Sequence, residues 1–99
     1  MKAKRLEVLV DDPLARRICA AADAIGVTNY RLLPTIGGRG AHGVWRDDAL
    51  TGATGKLVFV TILPSERADA LVAAITPLLD DYDLILSVSD VEVVRGAAF

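Results

Sequence analysis

The segment Gly37-Gly38-Arg39-Gly40 sets three glycines around one arginine, a combination suited to binding anions. Glycines let successive backbone N–H groups converge into a nest, and a guanidinium adds a planar, permanently charged fork. Phosphate and carboxylate groups fit that fork best. The run is not a Walker A motif, since no Gly-Lys-Ser/Thr follows. It is not a dinucleotide fingerprint either, because no helix opens after the glycines. A flexible hairpin that merely contains an arginine is the other reading. Downstream, His42 offers a phosphate contact or a pH-sensitive group, against a plain solvated loop histidine. Arg46, followed by Asp47 and Asp48, reads as a solvated charge cluster or as a second cation folding back on a bound anion. Trp45, the single tryptophan, stands among polar residues and must pack on the domain, a ligand or a partner.

These residues need elements to position them. Residues 5–10 alternate, with Leu6, Val8 and Val10 on one face and Arg5 and Glu7 on the other, which predicts a strand. Asp12 is placed to cap a helix with Pro13 in its first turn, and Leu14, Ile18, Ala21, Ala22 and Ile25 follow at helical spacing to a stop at Gly26. A second strand is expected over 30–36. Residues 37–55 then hold six of the chain's eight glycines, and a loop beyond roughly 12–15 residues in a compact domain is usually functional. Residues 56–63, KLVFVTIL, predict a central strand. Pro64 and Ser65 open a second helix striped by Ala68, Leu71, Val72, Ile75 and Leu79, with a bend or end expected near Thr76 because of Pro77. After DDYD, residues 84–89 and 91–94 read as one broken strand or two short ones.

The order is strand–helix–strand, long loop, strand–helix–strand. Right-handed crossovers then give an α+β, ferredoxin-like βαββαβ sandwich in one domain over 1–99, with a long loop between strands 2 and 3. Its helices cover one sheet face. Val58, Val60 and Ile62, or their alternates, must lie on the other face, which predicts an oligomer.

Composition narrows the function. Eleven basic and thirteen acidic residues leave a net charge of −2, without the basic stripe of a nucleic-acid or membrane-surface binder. No apolar run approaches the roughly 20 residues needed to span a bilayer. The opening MKAKRLEVLVDD is too short in its apolar part for a secretory leader and reads as a strand, so a cytoplasmic location is expected. One cysteine and one histidine exclude an internal disulfide and make a poor zinc set. Cys19, among Ile18 and alanines 20–22, reads as packing. Arg16 and Arg17 read as an exposed helix face, and Asp80, Asp81 and Asp83 as helix-end solvation without calcium-loop spacing. No nucleophile or acid–base pair sits on a rigid frame, so no enzyme is expected.

The layout, with YRLLPTIGGRGAHGVW and the closing VEVVRGAAF, resembles the PII-like regulatory proteins, most closely their carboxysome- and bicarbonate-associated branch. The likeness spans essentially the whole chain. It implies a homotrimer holding an adenine nucleotide in each cleft between subunits. By that resemblance the nucleotide contacts are Gly37, Gly38, Arg39 and Gly40 at the loop base, Leu84 in the turn before the last strand (Asp81, Tyr82, Asp83, Leu84), and Val94, Arg95 and Gly96 near the end. Arg39, Gly40, His42 and Arg46 are the candidates for a small anion, with bicarbonate as co-ligand.

Two departures shape the expectation. PII proteins carry a glycine-rich, lysine-bearing phosphate loop before the last strand, where this chain has DDYD, so ADP or AMP is expected over ATP. The loop also lacks the tyrosine that is uridylylated in PII proteins. Partners implied are a transporter or a carbon-fixation component, with carboxysome association. The rival is a ferredoxin-like module binding an amino acid or another small effector between subunits.

Overall fold

The computed structural model describes residues 1–41, 43–46 and 55–95, with Arg46 described in its backbone alone. Along the chain run β1 (Lys2–Asp11), α1 (Asp12–Ala24), β2 (Arg31–Pro34), β3 (Gly37–Gly40), β4 (Gly43–Arg46), β5 (Lys56–Leu63), α2 (Ser65–Tyr82) and β6 (Leu86–Glu92). Four strands form one antiparallel sheet in the order β2-β5-β1-β6, and β3 and β4 form a separate hairpin. The fold is the ferredoxin-like sandwich expected, with the hairpin inserted between its second and third strands.

Alternation builds the core. Leu6, Val8 and Val10 of β1 and Phe59 of β5 turn toward the helices, meeting Ala15, Ile18 and Ala22 of α1 and Ala68, Leu71 and Ile75 of α2. With Phe59 and Tyr30 the only large rings in this region, small and branched aliphatics make up the packing. Among the described residues the one buried polar side chain, Thr61, is satisfied by donating to the Asn29 carbonyl at 2.5 Å.

Four local expectations need correction. Asp12 is not the helix cap: α1 starts one residue earlier, with Asp11 in the cap position, and the Asp11 carboxylate goes to the Lys56 ammonium at 2.8 Å. Pro77 does not end α2 near Thr76, since the helix runs on to Tyr82. The Thr76 hydroxyl donates to the Val72 carbonyl at 2.6 Å, one residue before the Ala73 carbonyl that Pro77 leaves without its helical N–H. Consequently Asp80, Asp81 and Tyr82 are helical, and Asp83, left-handed at φ 54°, ends the helix, with the Leu84 N–H donating back to the Leu79 carbonyl at 3.2 Å. Finally, β6 is one strand, because Ser89 and Asp90 pair with Arg5 and Lys4 of β1, and the Lys4 ammonium donates to the Asp90 carboxylate.

The helices leave the other sheet face open. Register places Leu33, Val58, Val60, Ile62 and Leu9 there together with Arg5, Glu7 and Arg31. Leu9, Leu33 and Ile62 expose 37%, 45% and 38% of their surface, so among the described residues this is a partly apolar sheet face that no helix covers.

Candidate functional site

The hairpin leaves the sheet where β2 ends and β5 begins. Thr35 donates its backbone N–H to the Lys56 carbonyl at 3.0 Å, closing the last rung before the chain departs. Beyond it Gly37 faces Arg46, Gly38 faces Trp45, Arg39 faces Val44 and Gly40 faces Gly43. The Gly-Gly-Arg-Gly run is therefore a strand and not a nest. In a ladder, alternate N–H groups are used by the partner strand, so they cannot all converge on one anion. Gly43, at φ 114°, supplies the backbone that the tight return requires.

Glycine has poor strand propensity, so something other than backbone preference must hold β3 extended. That something is Trp45. Its indole lies on Gly38 so closely that a Cβ there would sit 2.5 Å from Cζ2 and Cη2. The indole Nε1–H donates to Thr35 Oγ1 at 2.9 Å, and the Thr35 hydroxyl in turn donates to the Lys56 carbonyl at 2.9 Å. The Lys56 ammonium lies 5.5 Å from the indole centroid while pairing with Asp11. Trp45 thus packs on its own domain. Arg39 pairs with Val44 on the opposite hairpin face, and both are exposed.

The other end of the sheet carries a second feature. A groove of about 520 Å³ lies where β2 begins, β5 ends and the chain leaves β6. Leu33, Val60, Ile62 and Val93 give it apolar walls, and Arg5, Arg31 and Arg95 bring three guanidinium groups. Arg5 is shared with Glu7, at 2.8 Å, so its charge is partly answered. Tyr30 also lines the groove, its ring tilted against Phe59 with centroids 5.2 Å apart and its hydroxyl donating to Asp23 of α1 at 3.1 Å. Burial first, then hydrogen bonds to Asp23 and Cys19, push the Tyr30 phenol up to about 12. Burial likewise pushes the Cys19 thiol up, against the weaker pull of its bond to Tyr30, which suits a packing residue better than a nucleophile.

One chain does not gather the residues expected to act together. Gly37–Gly40 sit past the β2/β5 edge, and Leu84 precedes β6, which starts opposite Val8 at the same end of the sheet. Between β2 and β6 lie three strand spacings, about 14 Å. Val94 and Arg95 follow Glu92, which pairs with Lys2 at the opposite end. The length of β5 separates the two ends by roughly 23 Å. His42 and Gly96 lie outside the described residues, as does the side chain of Arg46.

Arg5, Arg31 and Tyr30 were missed from sequence. They stand far apart from Arg95 in the chain, and only the register joins them. Arg16 and Arg17 are exposed as expected. Arg17 donates to the Tyr82 hydroxyl at 2.8 Å and lies 5.4 Å from its ring centroid, closing α1 onto the end of α2. Among the described residues no group of three His, Cys, Asp or Glu side chains could hold a metal, and no helix is long and apolar enough to cross a membrane.

Comparison with known proteins agrees with this fold. The family model for nitrogen regulatory protein P-II matches residues 3–98. CPII, a nitrogen regulatory PII-like protein from Thiomonas intermedia K12, bound to ADP, AMP and bicarbonate, superposes with a TM-score of 0.82 at 20% identity, over 96% of this chain and 91% of that one. CPII bound to ADP and bicarbonate gives 0.80 at 21% identity, over 96% and 91%. Its apo form gives 0.72 at 20% identity, over 97% and 96%. At such identities the likeness shows the fold. No curated protein matches the chain in sequence.

Proposed function

The chain belongs to the nitrogen regulatory protein P-II family, and we propose that it is a non-enzymatic regulator that binds ADP or AMP between subunits of a homotrimer, with bicarbonate as co-ligand. The observation that carries this reading is the separation of Arg39 and Arg95 to opposite ends of one sheet. Neither end alone surrounds a ligand. Copies packed through their open sheet faces would bring the hairpin end of one chain against the groove end of the next. Arg39, Gly37, Gly38, Gly40 and Leu84 would then come from one subunit, and Val94, Arg95 and Gly96 from its neighbour.

Charge decides among the nucleotides. The last turn of α2 and the residue after it carry Asp80, Asp81 and Asp83 and no lysine, while the cationic side chains come from Arg39 and the groove. A γ-phosphate would add charge beside those carboxylates, so the diphosphate or monophosphate is favoured. Bicarbonate, planar and anionic, would take paired donors from Arg39 and Arg46, with Gly40 and His42 beside them. The hairpin would then relay energy and inorganic-carbon status to a transporter or a carbon-fixation component.

The experiment titrates ADP with and without bicarbonate at fixed pH and ionic strength, following Trp45 fluorescence. Each ligand should tighten the other by the same factor, as linkage requires. If ADP affinity and Trp45 emission both ignore bicarbonate, the co-ligand reading fails and a plain nucleotide sensor remains. The arginine-rimmed apolar groove favours a second reading, a small carboxylate effector such as an amino acid. Thermal shifts with adenine nucleotides against an amino-acid panel separate the two.

A further inference from the structure

We infer that Trp45 is a positioning residue, a brace that locks the hairpin onto the end of the sheet and thereby holds Arg39 on the hairpin's outward face. This deepens the reading above and rests on it only where nucleotide enters.

The argument begins with what the hairpin lacks. Three of the four residues of β3 are glycines, so its strand offers almost no side-chain area to bury, and an isolated two-stranded hairpin is marginal in water. Its exposed side chains, Val44 and Arg39 among them, do not pack on the core. Yet β3 pairs with β4 over four rungs. The indole supplies what the glycines do not. It covers Gly38 across the strands, and its N–H reaches back to Thr35, the residue that closes the last rung with Lys56. Lys56 extends the tie to Asp11, in the cap position of α1, so hairpin, β5 and the β1–α1 junction are joined through one ring.

Orientation follows from period two. Gly38 and Trp45 share one hairpin face, and that face is fixed against Thr35 and Lys56. Arg39 and Val44 must occupy the other. Glycine at 38 is then required by packing: any Cβ would displace the ring. The same contact decides where the one guanidinium of β3 is offered. An arginine on a loose loop would lose conformational freedom on meeting an anion, whereas a braced one has lost it already.

The test uses the full chain and reads the hairpin without ligand first. Gly38→Ala should drive the indole off its seat. Trp45 emission should shift to the red, acrylamide quenching should rise, and the ladder amides of residues 40, 43 and 45 should exchange several-fold faster while those of β1 and β5 keep their protection. Thr35→Val, which removes the indole's acceptor and the hydroxyl's bond to the Lys56 carbonyl but leaves the seat on Gly38 open, should move each readout the same way by less. Trp45 emission, quenching and hairpin exchange unchanged in Gly38→Ala would overturn the brace.

With ADP added, Gly38→Ala and Arg39→Ala should not be additive: the double variant should bind no worse than Arg39→Ala alone. Additive losses would separate the brace from Arg39 and overturn its positioning role. Should wild type bind no ADP, the nucleotide reading fails by itself, and exchange and fluorescence still decide the brace.

Discussion

At one end of the sheet Arg39 stands on a hairpin of glycines, held by a single indole and a lysine–aspartate pair. At the other, Arg5, Arg31 and Arg95 rim a groove walled by Leu33, Val60, Ile62 and Val93, whose strands are anchored in the core beneath. The hairpin end spends few buried contacts on its arginine, so it belongs to the low-stability part of the molecule. Strands of the main sheet set most of the groove end, through Arg5, Arg31, Leu33, Val60 and Ile62, and only Val93 and Arg95 come from the segment after β6. A site assembled from both would join a movable half to a fixed half. Ligand binding would then be felt mainly by the hairpin, the part a partner can read.

The strongest way to break this comparison is to prevent the two ends from meeting. Leu33→Asp with Ile62→Asp puts two carboxylates on the open face, and burying such charges without partners costs several kcal/mol each. Sedimentation should give a monomer with native circular dichroism, and ADP binding should disappear with the trimer. A folded monomer that still binds ADP at wild-type affinity would confine the site to one chain.

Single arginines come next. Arg39→Ala or Arg95→Ala should each remove a charge-assisted contact worth about 1.5–3 kcal/mol, or roughly tenfold to a hundredfold in ADP affinity by calorimetry. Mixing sharpens the comparison. In a co-refolded assembly of both variants, the intact Arg39 of one chain meets the intact Arg95 of its neighbour, and some sites of wild-type affinity should return. If mixing restores nothing, the two arginines do not serve one intersubunit site.

The two ends also differ in how far the sequence reveals them. Alternation in β1 and the β-branched run of β5 locate the main sheet closely, because each strand's pattern reports the face it buries. The hairpin is illegible locally: glycines at 37, 38 and 40 argue for a loop, and the strand arises from Trp45 packing across it. Pro77 misleads for a similar reason, since tertiary packing of Ile75 and Leu78 carries α2 through a residue that propensity alone would make a stop. The groove is illegible for another cause. Arg5, Arg31 and Arg95 become neighbours only through the register, and nothing in their own surroundings marks them.

The smallest expected effect concerns Tyr30, at the fixed end. Its phenol is pushed up to about 12, by burial before hydrogen bonding to Asp23 and Cys19, above the ordinary value of about 10. A raised acid pKa means that folding favours the neutral phenol. Its contribution to stability is therefore complete below pH ~10 and is lost as pH rises through ~12. Ultraviolet titration of the native protein should show one tyrosine ionising near the upper value, and Tyr30→Phe should abolish that step. The variant should lose about 1 kcal/mol at neutral pH, the worth of one hydrogen bond, and show a shallower loss of stability at alkaline pH. Because the phenol is uncharged at neutral pH and already donates to Asp23, it has no proton to offer a phosphate. ADP affinity in Tyr30→Phe should therefore stay at wild-type value where Arg95→Ala weakens it strongly. An equal loss in both would mean that the phenol leaves Asp23 to meet the ligand, and the groove end would then be a moving half as well.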